Sequence, residues 1–163
     1  MNSPKLNIIV SIGEQLLSVY DDQTLIKSYL ICSAKNGVGE QFGSECTPRG
    51  RHVIRAKIGA GESPGSVFVG RRFTGEIYQH EYAKSQPNRD WILTRILWLS
   101  GLEKGKNRLG QVDTMRRYIY IHGAPDELVT QTPSSHGCIR MFNEDVIDLF
   151  ERVSIGSEVL ISE

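Results

Sequence analysis

Apolar residues in this chain come in short runs that often alternate with polar ones, the spacing of strands rather than helices. Leu6 to Ile12 and Leu16 to Tyr20 flank Gly13-Glu14-Gln15 and predict a hairpin. Asp21-Asp22-Gln23 then turns the chain into a third strand, Leu25 to Cys32, and a glycine-rich loop follows from Asn36 to Gly43. Arg51 to Ile58 alternates charged and apolar residues as a strand does, and Val67 to Val69 is a short strand. Trp91 to Leu99 is continuously apolar, which argues for burial and leaves strand and helix both open. Gly101 to Gln111 is polar and basic, a loop. Arg117 to Ile121 predicts a strand that puts Tyr118, Tyr120 and then His122 on one face and Ile119 and Ile121 on the other.

One segment has helical spacing. Val146, Ile147, Leu149, Phe150 and Val153 form an apolar stripe over about residues 143–153. Asn143 is placed to cap its start, Glu144 and Asp145 suit the positive first turn, and Gly156 ends it before a last strand, Glu158 to Ile161. Phe73 to Arg89 is ambiguous, with a helical part. The pattern predicts one mainly β domain over 1–163 with a single clear helix and no repeats or linkers.

Charge adds little. Lys plus Arg and Asp plus Glu both number 19, so nothing points to nucleic acid or an anionic membrane surface. Arg71-Arg72 and Arg116-Arg117 read as solvated strand ends. No stretch has the length of a membrane span, and the start lacks the pattern of a secretory signal. The three cysteines, Cys32, Cys46 and Cys138, have no paired spacing and suit a reducing compartment. Together these predict a cytoplasmic protein.

The chemistry gathers in Ser134-Ser135-His136-Gly137-Cys138-Ile139-Arg140, a polar turn that places a cysteine after a glycine, sixteen residues beyond His122. A thiol becomes a useful nucleophile when a nearby imidazole can take its proton. Gly137 lets the turn bend without a side chain in the way, and the successive amides of Gly137 and Cys138 are candidates for an oxyanion hole. The carbonyl of Gly123 is a candidate partner to orient His122. The competing reading is an inert buried cysteine. A zinc site built on His122, His136 and Cys138 lacks a fourth ligand, so neither metal nor cofactor is expected. Cys32 and Cys46 read as structural or incidental, His52 and His80 as surface or strand-packing residues, and Trp91 and Trp98 as core.

Ile121-His122-Gly123 followed by Ser135-His136-Gly137-Cys138-Ile139-Arg140 closely resembles the signature of the L,D-transpeptidase (YkuD-domain) family of peptidoglycan enzymes. Thr47-Pro48-Arg49-Gly50 resembles that family's upstream Thr-Pro element, and the likeness runs from about Leu6 to Ile161. The resemblance implies a mixed β-sandwich or barrel with an acyl-enzyme at Cys138, formed on the third residue of a peptidoglycan stem peptide with release of terminal D-alanine. It implies His122 as base, Gly123 as its orienter, and Gly137 and Cys138 as the oxyanion hole. Ser135, His136 and Tyr120 would shape the pocket, and Arg140 would bind a substrate carboxylate unless an ion pair with Glu144 or Asp145 claims it. Carbapenems would be inhibitors. Three functions follow: an L,D-carboxypeptidase acting on recycled muropeptides, an L,D-transpeptidase passing the acyl group to an amine, or an inactive muropeptide-binding domain. The intact Cys138 and His122 weigh against the last, and the lack of a signal pattern favours the first.

Overall fold

A computed structural model describes residues 5–163. The strands are β1 (Asn7–Ser11), β2 (Leu16–Asp21), β3 (Thr24–Leu30), β4 (Gly50–Ile58), β5 (Ser66–Val69), β6 (Arg72–Ile77), β7 (Ile92–Gly101), β8 (Tyr120–Gly123), β9 (Ile139–Met141) and β10 (Glu158–Ser162). The helices are the single turn α1 (His80–Ala83) and α2 (Asn143–Arg152). The strands form one mixed sheet in the order β3-β2-β1-β10-β4-β7-β5-β6, with β8 branching from β7 and β9 from β8. The fold is mainly β with one main helix, as the apolar pattern predicts.

The Trp91–Leu99 run is strand from Ile92 onward, and its largely apolar character, interrupted only by Thr94 and Arg95, has a physical cause. β7 pairs with β4, β5 and β8, and Leu93, Ile96, Leu97 and Leu99 are all fully buried. A strand covered on both faces reads as continuous rather than alternating. Between Leu93 and Ile96 the register shifts, with Thr94 at φ 74. That bulge lets one strand serve three neighbours.

α2 packs across β7 and β8 through Val146, Leu149 and Phe150, closing a core that includes Val10, Leu17, Ile54, Leu97, Ile121, Ile139 and Met141. Lys57 donates to the Phe150 and Val153 carbonyls at 2.6 and 2.7 Å, supplying a cation where the helix leaves acceptors unpaired. No helix among the described residues is long and apolar enough to cross a membrane.

Several expectations shift. β8 starts at Tyr120 rather than Arg117, because Tyr118 adopts φ 55 and breaks the extended run. β3 ends at Leu30, and Cys32 makes only a single bridge, to Arg140. The Phe73–Arg89 stretch divides into β6 and α1. Asn143 does not cap α2. Phe142 holds the cap position, and the Asn143 amide oxygen instead accepts from Thr94 Oγ1 at 2.5 Å.

Candidate active site

β8 and β9 run parallel, with Ile121 opposite Ile139 and His122 opposite Arg140. Side chains alternate along each strand, so the core takes Ile121, Ile139 and Met141, and the other face takes Tyr120, His122 and Arg140. Cys138, one residue before β9, falls in the same phase as Arg140 and packs on the cluster of Phe68, Ile96 and Tyr120. The thiol and the imidazole therefore share one surface.

His122 is 1 % exposed. Its Nδ1 lies 2.7 Å from the Gly123 carbonyl. A carbonyl only accepts, so Nδ1 carries the proton and Nε2 is left as the basic nitrogen. Gly123 has no room for a side chain, since a Cβ would meet the Asn143 Oδ1 and the Leu93 carbonyl at 2.5 and 2.6 Å. The knot formed by Thr94, Asn143 and Gly123 thus fixes the carbonyl that orients the base.

The Cys138 sulfur receives the Tyr120 amide and donates to the Tyr118 carbonyl, both at 3.3 Å. Burial pushes its thiol up from near 9 to about 12, although the Tyr120 amide and the Arg140 and Arg117 charges oppose the rise. Burial also lowers the basicity of His122, against the Gly123 hydrogen bond and the Asp90 charge, which favour its protonated form. Both shifts run against a thiolate–imidazolium pair, so at rest the two groups are neutral.

The turn before Cys138 is held from several sides. Gly137 adopts φ 132, and a Cβ there would meet Ile119 and the Cys46 carbonyl at 3.1 and 3.3 Å. Thr47, fully buried, donates its hydroxyl to the Gly137 carbonyl at 2.9 Å and accepts the Ala34 amide at 3.0 Å. The Thr-Pro element thereby braces the nucleophile's turn. Ser135 donates to the Cys138 carbonyl at 2.5 Å and accepts the Gly137 amide at 3.2 Å. Of the two amides proposed for an oxyanion, that of Gly137 is so engaged, and that of Cys138 has no partner among the described residues. His136 is exposed and lines a shallow depression with Phe42, Glu45, Arg116 and Tyr118.

Arg140 is buried and pairs with neither Glu144 nor Asp145. Its partners are Ser134 Oγ at 3.1 Å and Asp90 at 3.6 Å, and its Nε has none. Asp90 carried no motif and was not legible in the sequence. Two arginines read as solvated strand ends hold specific partners. Arg117 is half-buried and donates to the carbonyls of Gly39, Glu40 and Cys46, pinning the glycine-rich loop beside the turn. Arg71, at the β5–β6 tip, lies against the rings of Trp98 and Tyr118 and donates to the Tyr120 hydroxyl at 2.9 Å. His52, expected at the surface or in strand packing, is fully buried between Gly50 and Thr114.

Residues 6–161 match the family model of the L,D-transpeptidase catalytic domain (YkuD). Among solved structures the chain is similar to an L,D-transpeptidase from Mycobacterium smegmatis, at 14% identity and TM-score 0.57, covering 98% of this chain and 59% of that one. It is also similar to L,D-transpeptidase 3 from Mycobacterium tuberculosis in complex with a faropenem-derived adduct, at 16% identity and TM-score 0.60, covering 99% and 61%. A third is the L,D-transpeptidase from Xylanimonas cellulosilytica, at 17% identity and TM-score 0.56, covering 99% and 62%. The chain spans about three fifths of the length of these proteins. No curated protein matches it.

Proposed function

Because the chain belongs to the L,D-transpeptidase catalytic-domain family, we propose that it is a cysteine acyl-transfer enzyme of peptidoglycan stem peptides, and that it works as an L,D-carboxypeptidase. The observation that carries the reading is the His122 imidazole locked by Gly123 on the face it shares with Cys138. As the Cys138 sulfur attacks the carbonyl of the third stem residue, His122 Nε2 takes the thiol proton. The oxyanion turns toward the free Cys138 amide. The C–N bond breaks, the proton passes to the nitrogen of the departing D-alanine, and a thioester remains. Water, deprotonated by the same nitrogen, then releases a tripeptide.

Water is favoured over an amine on the reading that Arg71, laid across Trp98, Tyr118 and Tyr120, leaves a bulky acceptor less room beside the thiol. Three free thiols agree with work in a reducing compartment on recycled muropeptides. The second reading, transpeptidation, draws on the depression lined by Phe42, Tyr118 and His136, where an acceptor stem could lie. Purified protein is incubated with a disaccharide-free tetrapeptide, with and without excess D-amino acid or second stem, and the products are weighed. Tripeptide as the main product in all mixtures supports hydrolysis. Dominant cross-linked dimer or exchanged tetrapeptide establishes the second reading instead.

A further inference from the structure

We propose that Arg71 is the receptor for the C-terminal carboxylate of the departing residue, and that it makes the enzyme specific for the free end of a peptide. The proposal deepens the carboxypeptidase reading and rests on it for the identity of the substrate.

Arg71 is delivered by an unusual backbone. Val69 pairs with Arg72, so Gly70 and Arg71 form a two-residue hairpin loop, with φ 55 and 64. Such a loop demands left-handed backbone at both positions and favours Asn-Gly or Gly-Gly. An arginine there is a costly choice for a turn. Tyr118, the aromatic residue it meets, is also left-handed at φ 55. Two bulky residues in disfavoured backbone thus face one another beside the nucleophile, a pattern that concentrates at functional sites.

The contacts show where the guanidinium is held. Its centre lies 4.9 Å from the Trp98 ring and 4.8 Å from the Tyr118 ring, with one nitrogen 2.9 Å from the Tyr120 hydroxyl. Tyr118 and Tyr120 are also the residues whose carbonyl and amide hold the Cys138 sulfur. Arg71 therefore touches the side chains of the two residues whose backbone holds the thiol. No acid bonds it: its only hydrogen bond among the described residues is to Tyr120, and it is in no ion pair. Arg49, Arg89 and Arg140 each face a carboxylate, whereas Arg71 shares with Arg55, over the same Trp98 ring, the lack of one among the described residues. The two rings hold the guanidinium in place while its remaining N–H groups have no partner among the described residues, and a guanidinium is the group that suits two-pronged carboxylate recognition. Arg140, buried and already paired with Asp90, is the less available cation.

An enzyme that removes one terminal residue must sense that the chain ends there. A cation near the scissile bond does this, because a carboxamide or a continuing peptide presents no charge to it. The test compares two tetrapeptides, one with a free C-terminal carboxylate and one amidated, on wild type, Arg71→Gln and Arg71→Lys. Wild type is expected to prefer the free acid. Arg71→Gln is expected to lose about ten- to a hundredfold in kcat/KM on the free acid, the worth of a hydrogen bond to a charged group, with little change on the amide. Arg71→Lys is expected to recover part of the preference. Equal losses on both peptides with a lowered Tm would show that Arg71 merely props the aromatic cluster, and the proposal would fall. Binding to the Cys138→Ala protein, read by calorimetry, separates the two readings. A free-acid preference that depends on Arg71 in a protein whose wild type cleaves neither peptide would retain the receptor and overturn the carboxypeptidase. No preference in either measurement overturns the receptor alone.

Discussion

The neutral resting state of Cys138 and His122 has a measurable consequence in the reactivity of the thiol. Burial moves the Cys138 thiol from near 9 to about 12. Three units cut the thiolate fraction near neutral pH by about a thousandfold. The thiolate that does form is intrinsically more nucleophilic, by about sixteen- to thirtyfold for a Brønsted slope of 0.4–0.5. The net expectation is alkylation roughly fortyfold slower than for an ordinary exposed thiol at pH 7, with the rate still climbing tenfold per unit at pH 9. Iodoacetamide labelling of a Cys32→Ala, Cys46→Ser protein from pH 5 to 10, followed by intact mass, reads this directly. A thiolate paired with imidazolium behaves oppositely, with fast labelling and a plateau between pH 6 and 8. That plateau would refute the reasoning from burial, and with it the conclusion that His122 takes the proton only as the substrate is attacked.

Four further outcomes follow from the geometry. Cys138→Ala is expected to keep the fold and abolish turnover, and a carbapenem adduct is expected on the wild type and not on this variant by intact mass. His122→Gln is expected to lose at least about a hundredfold in kcat, the usual worth of a general base, while binding tetrapeptide with unchanged affinity. Thr47→Val strips the Gly137 carbonyl and the Ala34 amide of their partner, and denaturant unfolding should show a loss of about 1–3 kcal/mol. His52, lowered to about 4 by burial, is neutral in the folded protein. The unfolded chain therefore takes up a proton first as pH falls through about 6.5. Stability is full above that pH and declines toward pH 4, by about 3 kcal/mol for this group, and His122 adds in the same direction. His52→Gln should flatten part of that decline, whatever its effect on stability at pH 7, and an unchanged slope would locate the effect elsewhere.

The strands and the main helix were legible because alternation and helical stripe are local signals that burial enforces. The branched sheet was not, since nothing local says that β7 serves three partners; only its largely apolar run hinted at burial on both faces. Cys138, His122 and the turn around Gly137 were legible as a motif. Arg71, Asp90 and Arg117 were not. Each acts on partners distant in sequence, and a charged residue in a short basic pair looks the same whether it faces water or a ring. Asn143 shows the opposite error. It has the composition of a cap, but the closeness of Thr94 gives its side chain a better partner.

The parallel pairing of β8 and β9 makes the dyad a matter of parity. Moving either strand by one residue against its neighbour would send Cys138 or His122 into the core and bring an isoleucine to the surface. The link between the strands, residues 124–137, has no such counting rule where it stays free of the 134–137 turn. Small insertions between Asp126 and Thr132 should therefore leave the dyad in phase, whereas a single residue gained or lost inside 138–141 exchanges the two faces outright. Lineages that elaborate this scaffold are free to build on the crossover, and bound to keep the strands in step.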